Sequence, residues 1–322
     1  MSLPSLDEPT LRAAVTPAAA VSAIRDAFRA DGEGRTAVPA VINLPIPGTR
    51  GEFHVKTAWV DGVPFIAVKV ASGFYDNPAR GLPTGSGMMA LFDAATGMPL
   101  GLLFDNGFLT DIRTGAAGAV AADCLARRDV HTIGVIGSGV QARHQIAFLR
   151  EVRRFARIAA WSIDRPGLEQ YCSEMRAAHG VEAVACATAE DACRAADILI
   201  TATPSHEPLV CADWLKPGLH ITAVGSDTPG KQELEAACLS RADVVVVDRL
   251  SQCARFGELS HALAAGLMRE EDVRGQLGEV VAGRKPGRLR DDEITVCDLT
   301  GVGFQDTAIA ALAWDRAQVS NR

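Results

Sequence analysis

The sequence predicts an α/β protein of two domains, one with a mostly antiparallel sheet and one with a parallel sheet. Three observations carry that prediction. Residues 38–104 read as consecutive strands joined by tight turns, with Asp61-Gly62 and Ala94-Ala-Thr-Gly97 as the turn signals. From Thr132 onward, short β-branched runs alternate with helical stretches, the rhythm of a parallel sheet covered on both faces. At the head of that alternation stands Gly137-Ser138-Gly139-Val140-Gln141-Ala142, a G-x-G-x-x-A between a strand and a helix. A length of 322 residues leaves room for two cores of ordinary size.

In chain order, Thr16-Pro17 suits an N-cap followed by proline at the first helical position, and residues 18–30 keep helical apolar spacing. Strand-like runs follow at 40–44, 52–60, 64–70, 86–92 and 98–104, an α+β unit rather than a nucleotide fold. Leu109-Thr-Asp111 then opens a helix over 112–126 that is rich in Gly and Ala. Small side chains let backbones approach, so this helix is expected to be tightly packed between other elements.

In the second half the strand-like runs are 132–136, 157–161, 183–186, 198–201, 220–224 and 244–247. Helices are expected between most of them, including 167–179 and 231–241, and a strand at 294–299 precedes a final helix over 304–316. Strand before and helix after turn the glycine motif into the fingerprint of a Rossmann dinucleotide-binding domain. Gly137 permits the tight turn, Gly139 lets backbone N–H groups reach a pyrophosphate, and the helix N-terminus supplies donors and partial positive charge. The bound cofactor is then NAD or NADP.

An acid at the end of the second strand of such a domain bonds the ribose 2′-OH of NAD, whereas small polar and basic residues accommodate a 2′-phosphate. Here Ser162 holds that position, with Asp164 and Arg165 just beyond, so the preference stays open. Thr201-Ala202-Thr203 ends the fourth strand, and Asp227 follows the fifth; both places flank a cofactor in this fold. Thr203 and Ser205 also fit local hydroxyl turns. Asp227 fits either an acid–base group or the N-cap of a helix near Lys231.

Two cations stand out in the first half. Lys69 lies inside an apolar strand, either as an edge-strand solubiliser or as a cation aimed into a site, where desolvation would lower its pKa. Arg113 sits in the first turn of a helix, where the dipole disfavours it unless an anion is close, and a carboxylate or phosphate is the natural partner.

Composition excludes several other classes. Hydrophobic content of 48% with 22% charged residues describes a globular protein, and a net charge of −7 argues against nucleic acid or an anionic membrane as partner. No apolar run reaches a membrane span and the N-terminus carries acid rather than a signal-peptide pattern, so a cytoplasmic location is expected. The eight cysteines are scattered without C-x-x-C pairs, as in a reduced chain, and no metal site is expected.

Four segments together resemble the ornithine cyclodeaminase/μ-crystallin family, in its order and spacing, over about residues 15–315. They are Lys69-Val-Ala-Ser-Gly-Phe-Tyr-Asp-Asn77 through Gly81-Leu-Pro-Thr84, Leu109-Thr-Asp-Ile-Arg113-Thr-Gly-Ala-Ala, Gly134-Val-Ile-Gly-Ser-Gly-Val-Gln-Ala142, and Gly225-Ser-Asp227-Thr-Pro-Gly-Lys-Gln-Glu-Leu234. Within the family, Val41-Ile-Asn-Leu-Pro, His54-Val-Lys-Thr-Ala and Phe74-Tyr-Asp-Asn77 resemble ectoine-utilisation cyclodeaminase-like proteins and iminosuccinate reductases.

The resemblance implies a homodimer. Residues 1–126 and 305–322 would form a substrate-binding and dimerisation domain, and residues 127–304 the Rossmann domain. It also implies that Lys69 and Arg113 engage an amino or imino acid, Arg113 on the α-carboxylate, and that Asp227 serves in acid–base chemistry. Thr84 and Thr114 match positions near substrate or cofactor. The family commonly has a further substrate-binding arginine in the strand that here holds Val41-Ile42, and Lys56 or Arg50 are the cations available in its place.

The implied chemistry moves a hydride between nicotinamide C4 and Cα of the substrate, interconverting amine and imine. The absent arginine favours an imine reductase or amino-acid dehydrogenase over a true cyclodeaminase, which would release ammonia from a diamino acid without net redox change. A non-catalytic dinucleotide or small-ligand binding protein is the alternative of another class.

Overall fold

The computed structural model describes residues 3–320. The chain divides into two compact units, Met1–Arg113 with Val302–Arg322, and Thr114–Gly301.

The first unit contains β1 (Ser5–Asp7), α1 (Glu8–Ala14), α2 (Pro17–Gly32), β2 (Thr36–Ala37), β3 (Ile42–Ile46), β4 (Gly51–Val60), β5 (Phe65–Phe74), β6 (Gly85–Asp93) and β7 (Pro99–Phe104). The helix α3 (Phe108–Leu125) begins in it, and α11 (Gly303–Ser320), the last helix of the chain, belongs to it. Its sheet runs β1-β7-β6-β5-β4-β2, with β3 also on β4. All pairs are antiparallel except β1 on β7. The sequence pattern did not reveal β1 or α1, a seven-residue helix with only Leu11 and Ala14 buried, capped by Asp7 on the Thr10 amide.

Side chains alternate across this sheet, as a strand period of two requires. One face carries Ala58, Val60, Phe65, Ala67, Met89 and Leu91, all buried, and α11 packs against β4, β5 and α2. Phe28 of α2 meets Phe304 of α11 edge to face at 5.3 Å. The opposite face is also apolar but uncovered: Ile42 is 62% exposed, Leu44 55%, Trp59 40% and Phe104 45%.

The second unit holds the end of α3, followed by β8 (Thr132–Ile136), α4 (Val140–Leu149), β9 (Arg157–Trp161), α5 (Arg165–His179), β10 (Glu182–Ala185) and α6 (Ala189–Ala195). It continues with β11 (Ile198–Thr201), β12 (His220–Ala223), α7 (Ala236–Arg241), β13 (Val244–Val247), α8 (Leu250–Phe256) and α9 (Glu258–Ala264). The last elements are β14 (Gly275–Gln276), α10 (Leu277–Val281) and β15 (Thr295–Asp298). Every strand pair is parallel, in the order β10-β9-β8-β11-β12-β15-β13-β14. Strand order reverses between β8 and β11, the switch point at which open α/β sheets bind ligands.

Both sheet faces of this unit are covered. Ile133, Val135, Ile158 and Ile200 pack with Ile146 and Tyr171 on one side. Leu199, Ile221, Val245 and Val296 pack with Cys193 and Leu259 on the other. The small-residue helix α3 is closely packed as its composition predicts: a Cβ on Gly118 would overlap the Gln145 carboxamide of α4, whose Nε2 donates to the Thr114 carbonyl at 3.0 Å.

One predicted helix is shorter than expected. Residues 231–235 are extended, held by a parallel bridge between Val210 and Leu234, and helix begins only at Ala236. None of the eight cysteines forms a disulfide, and no helix among the described residues is long and apolar enough to cross a membrane.

Candidate active site

In the first unit, β5 lies between β4 and β6, so Lys69 is not an edge residue. Strand alternation turns it to the packed face, where it is 2% exposed. Its Nζ donates to Asp306 Oδ1 at 3.0 Å, in the first turn of α11. The same carboxylate oxygen lies 3.1 Å from Arg113 Nε, and Arg113 Nη1 donates to Gln305 Oε1 at 3.2 Å. Lys56, also buried, stands directly across the ladder from Lys69. Burial pulls the Lys69 ammonium down to about 7; Asp306 opposes that shift, and Arg113 and Lys56 add to it. Asp105, buried nearby, accepts the Leu109 amide at 2.8 Å, and burial raises its carboxyl above the usual range.

This cluster is not closed on itself. Asp306 Oδ2 and Gln305 Nε2 are buried without a hydrogen-bond partner, and Arg113 Nε has only its ion-pair contact with Asp306. Each such atom costs about 1–3 kcal/mol if left so. Such an arrangement suits a small ligand that both accepts from a guanidinium and exchanges a proton with an amine. Thr84 is half-buried, and its carbonyl accepts the Phe74 amide at 2.8 Å; no side-chain bond joins it to Lys69 or Arg113. Arg50 pairs instead with Asp76 at 3.3 Å on the surface.

In the second unit the glycine loop leaves β8 as the motif requires. Gly137 has φ +112°, where an L side chain is strained, and a Cβ there would meet the Ala202 carbonyl at 2.7 Å. Gly139 is the N-cap of α4 and faces open space, with no side chain capping the helix. The amides that open α4, at Val140 and Gln141, therefore end at an uncapped, open cradle that fits a pyrophosphate. Arg143 secures the loop from below, donating to the Ser138 carbonyl at 2.5 Å and the Gly139 carbonyl at 3.1 Å while pairing with Glu174 at 2.6 Å. Sequence reading passed over Arg143.

At the end of β9, Ser162 is buried and its Oγ accepts the Asp164 amide at 3.3 Å. Asp164 caps α5 through the Gly167 amide at 3.1 Å, and Arg165 donates to the Cys186 carbonyl at 2.6 Å. One oxygen of Asp164, the acid just beyond the expected ribose position at Ser162, is thus engaged in holding a helix.

At the ends of β11 and β12, Thr201 Oγ1 donates to Glu233 Oε2 at 2.7 Å and the Thr203 amide to Glu233 Oε1 at 2.6 Å; the Ala202 amide reaches the Ile136 carbonyl at 2.9 Å. Burial pushes the Glu233 carboxyl up to about 7. Asp227 is not a helix cap, because no helix starts there. Its Oδ1 accepts from Lys231 Nζ at 2.8 Å, with Asp227 half-exposed and Lys231 buried.

The structure thus gathers Lys69, Arg113 and Lys56 in one unit and the glycine loop, Thr201, Thr203 and Asp227 on the carboxyl edge of the parallel sheet in the other. Sequence reading missed Asp306, Gln305 and Lys231. Asp306 and Gln305 follow Gly301-Val-Gly303, a glycine-bounded turn into the last helix, and that turn was the signal to test.

Known proteins share this architecture. The archaeal alanine dehydrogenase dimer with bound NAD superposes with a TM-score of 0.93 at 34% identity, covering 100% of this chain and 98% of its own. The Thermococcus litoralis Δ1-pyrroline-2-carboxylate reductase in complex with NADH and L-proline gives 0.94 at 30% identity, with 98% of each chain covered. An uncharacterized cyclodeaminase of Sinorhizobium fredii is 44% identical over 300 residues, 93% of this chain and 91% of its own. The iminosuccinate reductase of Paracoccus denitrificans is 34% identical over 298 residues, 92% and 91% of the two chains. The relatives thus include NAD-linked imine reductases and amino-acid dehydrogenases as well as cyclodeaminases. The model of the ornithine cyclodeaminase/mu-crystallin family matches residues 11–321, and the chain belongs to that family.

Proposed function

We propose that the protein is an NAD(P)-dependent oxidoreductase that interconverts an amine and an imine at Cα of a small amino or imino acid. The observation that carries this reading is the buried Lys69–Asp306–Arg113 cluster, with its polar atoms left open for a ligand. When bound, NAD(P) supplies or accepts a hydride at nicotinamide C4.

Arg113, whose guanidinium is anchored by Asp306 on Nε and by Gln305 on Nη1, holds the substrate α-carboxylate. Lys69, brought by burial to about 7, gives a proton to or takes one from the substrate nitrogen, and Asp306 keeps it charged when it must be. Asp227 carries acid–base work, with Lys231 holding its carboxylate in place. Thr84 and Thr114 line the approach of substrate and cofactor, and Lys56 supports the cationic pocket. On the cofactor side, Gly137, Ser138, Gly139, Val140 and Gln141 receive the pyrophosphate, Ser162, Asp164 and Arg165 the adenosine ribose, and Thr201, Ala202 and Thr203 the nicotinamide half.

Reduction or dehydrogenation is favoured over cyclodeamination because the strand that would supply a second carboxylate-binding arginine carries Val41 and Ile42 instead, and Ile42 belongs to the exposed apolar face. The test is a panel of amino and imino acids, including diamino acids, assayed at the nicotinamide absorbance band with NAD+, NADP+ and their reduced forms. The expected result is stoichiometric oxidation or reduction of the cofactor. Ammonia release from a diamino acid with no net cofactor change establishes a cyclodeaminase, and cofactor binding with no turnover on the whole panel leaves a binding protein.

The uncovered face of the antiparallel sheet supports a homodimer. Ile42, Leu44, Phe53, Trp59 and Phe104 are 37–62% exposed on one surface, an apolar face of the kind that marks a protein–protein contact. Light scattering after gel filtration should give twice the 33.9 kDa chain mass, and Phe53→Asp/Trp59→Lys should halve it. A wild-type monomer at micromolar concentration removes this part of the proposal.

A further inference from the structure

Glu233 is fully buried and belongs to no helix or strand, yet its one carboxylate gathers donors from two separate loops. Oε2 accepts from Thr201 Oγ1 at 2.7 Å and from the Gly225 amide at 2.9 Å; Oε1 accepts the Thr203 amide at 2.6 Å. The two loops touch so closely that a Cβ on Gly225 would overlap both the Thr203 carbonyl and this carboxylate. Glu233 is itself held from behind. Its amide and that of Leu234 donate to Glu258 at 2.7 and 3.1 Å, and its carbonyl accepts the Leu209 amide at 2.7 Å. Asp298, at the end of β15, in turn accepts the Leu259 amide at 3.0 Å. A ladder of buried carboxylates thus ties together the backbone at the carboxyl ends of β11, β12 and β15.

A buried carboxylate is a costly way to fasten loops, and packing or neutral amides would serve stability alone. What a carboxyl group adds over a carboxamide is acceptor capacity on both oxygens, so one side chain holds two amides and a hydroxyl from both loops at once. Only Ser226 separates Gly225 from Asp227, so whatever fixes the Gly225 amide also fixes the start of the turn that presents Asp227.

We infer that Glu233 is a positioning residue for hydride transfer: it clamps the loop after β11 to the loop after β12 and thereby sets where the nicotinamide half of the cofactor and Asp227 stand. This inference rests on the oxidoreductase reading. Glu233→Gln preserves shape but turns one acceptor into an NH2 group facing backbone or hydroxyl donors, so the clamp loosens without a cavity.

The test titrates NADH into the full-length wild type, Glu233→Gln and Asp197→Asn, reading affinity and the emission of the bound nicotinamide, and then measures kcat and KM on the panel substrate. Asp197 is the matched control: it too caps backbone amides, those of His131 and Thr132 at 2.8 and 3.0 Å, but at the opposite end of the strands. Both substitutions should lower Tm. Glu233→Gln alone should shift bound-nicotinamide emission toward that of free NADH and lower kcat about 10–100-fold, with KM and NADH affinity changed far less. Asp197→Asn should keep wild-type emission and kcat.

Wild-type emission in folded Glu233→Gln overturns the inference whether or not turnover is found, and so does an equal loss in both variants. Absence of turnover in the wild type, with the emission shift present, overturns the oxidoreductase reading alone. Should Glu233→Gln not fold, Thr201→Val removes one donor to the same carboxylate and is expected to show the same shift with a loss of about 3–10-fold in kcat; wild-type emission there overturns the inference equally.

Discussion

Lys69→Met is expected to lower kcat by about 10²–10⁴-fold, the range that a positioned proton-transfer group supplies, while NADH still binds, because the glycine loop lies in the other unit. Methionine fills the volume of the lysine stem, so the loss is chemical rather than a packing defect. The wild-type pH profile should report the same group. Burial places Lys69 near 7 against an ordinary 10.5. In the oxidative direction the neutral amine is the form that accepts a proton, so kcat/KM should rise as pH passes about 7 and then level. In the reductive direction the ammonium is the donor, so kcat/KM should fall above the same pH. Lys69→Arg keeps the charge, but a guanidinium does not titrate in this range, so its profile should lose both limbs. Activity of Lys69→Met within tenfold of wild type, or an unchanged limb in Lys69→Arg, would sink the assignment.

Much of this arrangement is legible in the sequence because each feature obeys a local rule. The parallel strands announce themselves as β-branched runs, the hairpins by their turns, and the cofactor loop by glycines between strand and helix. Lys69 and Arg113 stand out for the opposite reason. A cation inside an apolar strand breaks a local preference, and so does one that the sequence places at the start of a helix, although α3 begins at Phe108 and puts Arg113 in its second turn; breaks of that kind mark sites.

Asp306 gives no such sign, since an acid in the first turn of a helix is what the helix dipole favours. Its partnership with Lys69 spans 237 residues of chain and exists only in the fold. Glu233 was hidden in the same way, inside a stretch whose composition reads as helix but whose backbone is held extended by the bridge to Val210. Asp164 shows the converse: two residues beyond Ser162, where the sequence suggests a role near the ribose, it meets a purely local demand as the cap of α5.

The other large effect is expected at Asp306. Asp306→Asn is nearly isosteric but withdraws the carboxylate shared by Lys69 and Arg113. Removing one partner of a buried ion pair costs about 3–5 kcal/mol, and the cost here should depend on pH in a definite sense. The folded Lys69 value, near 7, lies below the unfolded one, near 10.5. Between them the unfolded chain binds more protons, so wild-type stability rises with pH across that window. Asp306 is the main influence holding the folded value up. Asparagine lets it fall further and extends the window to lower pH, so the variant should be more destabilised at about pH 6 than at about pH 10. Urea unfolding at the two pH values measures this directly. Adding Lys69→Met to Asp306→Asn removes one stranded charge and should recover stability without recovering turnover, giving a coupling energy of opposite sign to the single-mutant losses. Equal destabilisation at both pH values, or no recovery in the double variant, would show that Asp306 holds α11 in place by packing alone and leaves the proton affinity of Lys69 to burial.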